Sequence, residues 1–247
     1  MKTSFAKAPA APAPTTETKS SSALAVAETP NDTLAFQTQG VDGQVNGEFS
    51  ARDLAIPRMN LVAKSGELSN VFPPGSFVYN REVIIGDGKV PCEITILRMN
   101  KFYLQDLVYG SGEMPKSFSS LRDVRAAGGV LAYDPTAEEG SDKYSEALTC
   151  IVLVKSPAKE HPLFPFEQAG SSYGLAQWLL TKSAYRQTAK KLFTDSQMAL
   201  KAGIDTATYG LTSEIKTNSA GSWYVPTVKM GKKHDAPFIE FVRGLVK

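Results

Sequence analysis

Short apolar runs rich in β-branched residues recur along this chain, each broken off by Gly, Pro or Asn, and that rhythm constrains the fold more than any other feature. "EALTCIVLVK" (146–155) is the clearest, and reads as a buried strand. "GSFVYN" (75–80) follows a Pro-Pro-Gly turn, and "YGLAQWLL" (173–180) is a further strand. "EVIIGDGKVPCEITILRMNKFY" reads as two strands joined as a hairpin at Gly86-Asp87-Gly88. Near the end, "YGLTSEIK" and "SWYVPTVKM" flank the turn Asn218-Ser219-Ala220-Gly221. Pro91 and Pro226 each mark an edge or a bulge, because proline cannot donate to a ladder. Roughly seven strands are expected in all.

Two helices interrupt them. "SSLRDVRAAGG" (119–129) has Ser119 or Ser120 as N-cap and Gly128 beyond its end. "SAYRQTAKKLFTDSQMALKAG" (183–203) starts at Ser183 and stops at Gly203, with Tyr185, Ala189, Leu192, Phe193 and Ala199 on one face. Lys182, Arg186 and Lys190 make a basic stripe beside that face. The expectation is a mainly β fold with minor α. A five-stranded barrel of the oligonucleotide-binding (OB) kind with added strands fits, as does a general β-sandwich.

Residues 1–48 are set apart by composition. Ala, Pro, Ser and Thr dominate there, and such a segment cannot bury enough apolar surface to offset its ordering entropy. They read as a disordered tail before a single β-rich domain at 49–247. Residues 1–49 carry three Lys against five Asp or Glu, a net −2; the remainder carries 24 basic and 20 acidic residues, a net +4. That mild excess permits a polyanionic partner without demanding one. No apolar run approaches the roughly 20 residues that span a bilayer, so no membrane partner is expected. Cys92 and Cys150 lie in apolar runs and read as buried free thiols, which makes the cytoplasm the expected compartment.

Signals for catalysis are sparse. His161 and His234 are the two histidines, both in loops, and no Cys or His cluster has metal-ligand spacing. Gly-rich phosphate loops are absent, so neither enzyme activity nor a cofactor is expected. "GSSYG" (170–174) fits G-x-S-x-G with Ser172 at the nucleophile position, but that chemistry needs a buried strand before it and a helix after it. The preceding "HPLFPFEQA" is no such strand, and a plain loop reading is preferred. Glu138, Glu139 and Asp142 read as a solvated acidic loop.

Binding chemistry has more support. Single-stranded nucleic acid is held by cations that track the phosphates and by rings on which bases stack. Tyr79 with Arg81, Arg98 with Lys101 and Tyr103, Tyr185 with Arg186, and Trp223-Tyr224 near Lys229 each combine the two. Against each stands the alternation of a strand, which sends one ring of an adjacent pair into the core.

The order of "AIPRMNLVAKSGELSN", "PPGSFVYNREVIIGDGKVPCEITILRMNKFYLQD", "LLTKSAYRQTAKKLFT" and "GSWYVPTVKM", over roughly residues 55–230, resembles a group of bacteriophage-encoded single-stranded-DNA-binding proteins. The resemblance implies an OB-like barrel and a role in phage DNA replication or recombination in the host cytoplasm. Its partners would be single-stranded DNA, further copies of the chain, and replication or recombination proteins. Carried over, it points to Arg98, Lys101 and Tyr103, to Lys182, Tyr185, Arg186 and Lys190, and to Trp223 and Tyr224. One departure is that the chain closes on "FIEFVRGLVK", apolar and basic, where many such proteins carry an acidic tail. A phage structural protein or β-rich assembly module is the competing expectation, since edge strands invite strand addition.

Overall fold

The computed structural model describes residues 56–107, 112–138, 140–159, 161–219 and 221–246. The expected tail at 1–48, the start of the domain at 49, Glu139 and Ala220 lie outside the described residues.

In chain order the strands are β1 (Arg58–Leu61), β2 (Phe77–Tyr79), β3 (Val83–Gly86), β4 (Cys92–Gln105), β5 (Ser117–Phe118), β6 (Val130–Leu131), β7 (Lys143–Lys155), β8 (Phe166–Gln168), β9 (Ser171–Thr181), β10 (Ala207–Asn218) and β11 (Gly221–Lys233). The helices are α1 (Leu121–Ala126), α2 (Lys182–Ala184), α3 (Lys190–Met198) and α4 (Ala236–Gly244); a π-helical segment, Tyr185–Ala189, joins α2 to α3. The strands form one sheet in the order β11-β10-β4-β7-β9-β1-β2-β3, with β5, β6 and β8 attached at its flanks. All neighbours pair antiparallel except β1 with β9 and β6 with β7. The sheet curls into a half-barrel, so the fold is mainly β and compatible with an elaborated OB-like barrel. No helix among the described residues is long and apolar enough to cross a membrane.

The inside of the curl is the main core. Ile94, Ile96, Cys150, Val152, Ala176, Trp178, Leu180, Tyr209 and Leu211 meet there. Trp178 is 2% exposed, and truncating a side chain of that size costs about 3–5 kcal/mol. The opposite face carries a smaller core: Leu97, Ile151, Leu153 and Leu175 lie under Phe238 and Val242 of α4. Asp235 caps α4 by accepting from the Phe238 amide, and Pro237 sits in its first turn, where no amide partner is needed.

Loops draw the two ends of the sheet order together. Ser213 of β10 donates its amide to Gly88 O at 2.8 Å and its hydroxyl to Gly75 O at 2.6 Å. Gly88 has φ +79°, and a Cβ there would stand 2.1 Å from Gly75 O, so only glycine fits. A Cβ on Gly75 would stand 2.5 Å from the Tyr224 ring, which fixes that ring against the loop.

Several expectations change. The hairpin at Gly86-Asp87-Gly88 does not form, because β3 pairs with β2 and β4 pairs with β7 and β10. The tight turn is Tyr79–Glu82: Asn80 and Arg81 have φ +51° and +60°, and Glu82 N donates to Tyr79 O. Positive φ at both central residues is the type I′ signature, whose twist matches the strands. Pro91 precedes a central strand, not an edge, whereas Pro226 does lie on the edge strand β11. The 183–203 helix ends at Met198, and its π segment shifts the phase of the helix. Tyr185, Ala189 and Leu192 are buried as expected, but Phe193 is 62% exposed and Ala199 is also out. The helix α4 was not expected from "APFIEFVRG".

Other expectations hold. Ser120 caps α1, accepting from the Asp123 amide, and Gly128 follows at φ +78°. β10 and β11 form the hairpin. Both cysteines are free, and burial pushes their thiols up to about 11 at Cys92 and about 12 at Cys150, so both stay protonated at neutral pH.

Candidate nucleic-acid interface

Pairing register puts named side chains in rows across the sheet. A bulge between Ile96 and Arg98 of β4 lets Leu97 and Arg98 take the same face. Arg98 lies opposite Ile151, Ile151 opposite Gln177, and Gln177 opposite Arg58. These residues form one lateral row on the α4 side of the sheet. Three strand spacings of about 4.8 Å separate Arg98 from Arg58, roughly 14 Å in all. The next row holds Asn100, Thr149, Leu179 and, on β1, Asn60; Phe102 and Thr181 follow. Ile151 belongs to the core under α4, and the other residues of these rows do not. Leu179 is 51% exposed, and Arg58 and Asn100 are exposed.

β1 and β9 pair only at Arg58↔Gln177 and Met59↔Trp178, yet β9 runs on to Thr181 and β1 to Leu61. Where their ladder ends, a cavity of about 720 Å³ opens. Arg58, Asn60, Phe102, Leu179, Lys182, Trp223 and Tyr224 are among the residues lining it. A neighbouring cavity of about 350 Å³ is lined by Ile56, Pro57, Arg58, Asn60, Asn80 and Arg81, so Arg58 and Asn60 are common to both. Among the described residues, three cations and no carboxylate line the pair. Two of the cations have acidic neighbours farther out, Lys182 at 3.6 Å from Asp106 and Arg81 at 3.0 Å from Glu67, both at partly exposed sites where such pairs are weak. Lys182 has φ +50°, a left-handed conformation costly for a residue with a Cβ, at the corner where β9 turns into α2. The indole N–H of Trp223 is buried and lacks a hydrogen-bond partner among the described residues.

The expected site residues therefore divide. Lys182, Trp223 and Tyr224 line the larger cavity, Arg81 lines the smaller, and Arg98 stands on the same bare face. Lys101 and Tyr103 do not join them, because an odd separation from Arg98 turns them to the opposite side of β4. There Lys101 lies 2.5 Å from Glu146, with its ammonium 5.3 Å from the Tyr103 ring and 5.9 Å from Tyr185. Burial works against its charge, but hydrogen bonds to Glu146 and Tyr185 outweigh that and hold its pKa above the ordinary lysine value. Tyr79 is 2% exposed; its hydroxyl donates to Leu175 O and its ring stacks on Phe164 at 4.7 Å, so it is core and not a stacking platform. Tyr185 is likewise buried, at 8% exposure. Arg186 and Lys190 are exposed on the helix and line neither cavity.

Arg58, Asn60 and Gln177 were not singled out from the sequence, whereas Phe102 was weighed there as one ring of the Phe102/Tyr103 pair. The signal for β1 was the alternation Arg58-Met59-Asn60-Leu61, polar against apolar.

The remaining chemical candidates have structural partners. Ser172 is 7% exposed, donates to Lys159 O, and opens β9 after the β8 hairpin, so a strand and not a helix follows it. His234 Nε2 lies 3.0 Å from Thr95 Oγ1, and its ring stacks on Phe238 at 4.1 Å. His161 Nδ1 accepts from the Leu163 amide. Among the described residues no three His, Cys, Asp or Glu side chains gather as a metal-ligand set. Comparison with protein-family models, with curated proteins and with solved structures finds no match for this chain.

Proposed function

We propose that the chain binds single-stranded DNA without chemistry, largely independently of sequence, along the neighbouring cavities beside β1, β9 and β11. The observation that carries this reading is the pair of cavities that share Arg58 and Asn60, lined by Arg58, Arg81 and Lys182 and by the rings of Phe102, Trp223 and Tyr224, with no carboxylate among the described lining residues. Cations take the phosphates while rings stack bases, at about 1–3 kcal/mol per stacked base. Double-stranded DNA presents no free base faces and does not use the rings. The resemblance to phage single-stranded-DNA-binding proteins supports the same reading and adds a role in replication or recombination.

Titrating a fluorescent single-stranded oligonucleotide at two salt concentrations tests it. Affinity falls steeply with salt, because each phosphate contact releases counterions. An unchanged signal with micromolar protein at low salt overturns the proposal.

Self-assembly is the second reading. β11 and β3 end the sheet order, and β11 runs from Gly221 to Lys233, an edge long enough to take another strand. Light scattering without DNA separates the two: a large defined particle favours assembly, a small species favours the binding protein.

A further inference from the structure

We infer that the cleft where β1 and β9 part receives an unpaired base edge-on, with the Trp223 indole N–H donating to a carbonyl oxygen of that base, so that binding favours thymine over adenine. This rests on the proposed single-stranded-DNA reading and names a subsite within it.

Three features of the cleft point to a base. First, its walls present main-chain polar groups. The Gln177 amide donates to Pro57 O, so the backbone groups of Gln177, Leu179 and Thr181 face β1. The ladder stops at Met59↔Trp178, which leaves the Leu179 carbonyl and the Thr181 amide facing the cleft beyond the last pair. Across from them, Arg58 O accepts from the Asn80 amide and the Val62 amide donates to Ser76 O, so even-numbered backbone groups of β1 face β2 and the backbone of Leu61 faces β9. Gln177, Leu179, Thr181, Asn60 and Leu61 all line the cavity. Facing donors and acceptors of this kind match the Watson–Crick edge of a base, which presents both.

Second, Trp223 is an unsatisfied donor at the same place. A buried N–H without an acceptor is unfavourable, so an oxygen that reaches it removes that cost. Third, Arg58 and Lys182 stand on either side of the cleft, with no carboxylate among the described lining residues, and their positive charge attracts a strand carrying phosphates. Thymine offers two carbonyl oxygens around one N–H; adenine has no exocyclic oxygen.

The test measures the affinity of labelled oligo(dT) and oligo(dA) of equal length, at one fixed salt, for the unaltered chain, Trp223→Phe and Trp223→Ala. Phenylalanine keeps a stacking face and removes the donor. The dT-to-dA affinity ratio is expected to drop about five-fold in Trp223→Phe, the worth of one neutral hydrogen bond. Trp223→Ala is expected to weaken both oligonucleotides as well. Circular dichroism establishes that each variant is folded. Comparing ratios between variants cancels the intrinsic stiffness of oligo(dA). An unchanged ratio in a folded Trp223→Phe that still binds DNA overturns the inference alone. Failure of the unaltered chain to bind either oligonucleotide overturns the parent proposal, and the inference with it.

Discussion

One face of the sheet has two halves built on the same strands, and they have different fates. Toward one end, Leu97, Leu153 and Leu175 are sealed by Phe238 and Val242. Toward the other, Arg98, Asn100, Phe102, Gln177 and Leu179 belong to no such core. Strand geometry is shared, and so is the alternation. What differs is the polarity of each row and the reach of the covering helix. The nine-residue α4 spans about 14 Å, far less than the length of β4 or β9. A face half sealed and half bare is a stable platform with a working surface, and the two jobs are performed by residues a few positions apart.

The sharpest way to break that contrast lies within β9. Leu175→Ala is expected to cost about 2–5 kcal/mol of stability, because the side chain is 7% exposed under α4. Leu179→Ala, four residues along on the same face, is expected to stay within about 0.5 kcal/mol. Urea unfolding of both variants measures the difference, and equal losses would show that the bare half is covered after all.

Next in size is the effect on DNA. Tyr224→Ala is expected to lose about 1–3 kcal/mol of oligonucleotide affinity, while Tyr103→Ala, on the far side of β4, leaves it unchanged. A loss at Tyr103 matching that at Tyr224 would move the site to the other face. Removing Arg58 and Lys182 together is expected to lower the slope of log affinity against log salt by about 1.4, at roughly 0.7 per contact on a single strand. An unaltered slope excludes both from the phosphate path.

The smallest expected effect concerns the covered half alone. His234 packs on Phe238, and burial holds its pKa below the ordinary histidine value, against the opposing pull of Asp235, Asp205 and Glu93. A depressed pKa in the folded state means that the unfolded chain binds the proton more readily. Stability therefore falls as pH drops below the usual histidine value of about 6.5. Thermal midpoints measured from pH 7.5 to 5.5 should decline, and His234→Gln should flatten the decline. A His234→Gln profile parallel to that of the unaltered chain refutes the assignment.

Much of this was legible in residue order. Alternation marks Met59 and Leu61 as inward and Arg58 and Asn60 as outward. The same rule separates Arg98 from Lys101, although their closeness in the chain suggests a single cationic cluster. Ser120 and Gly128 announce the ends of α1 from capping chemistry alone. Asn80-Arg81 does not announce a type I′ turn, because arginine seldom takes positive φ; pairing of β2 with β3 imposes it. The π segment also escapes local rules, and with it the exposure of Phe193. Nor does Tyr79 differ locally from a surface tyrosine; Phe164 and the Leu175 carbonyl, both distant in the chain, make it core.

Local sequence by itself determined that this chain forms strands, where most of them run, and which side chains alternate across each. Those are properties of short-range sterics and the two-residue period. Only the tertiary structure decided which strands became neighbours, where β1 and β9 part, and which rings remain available beside Arg58 and Lys182. Such outcomes depend on contacts between segments more than a hundred residues apart, whose pairing no local propensity encodes.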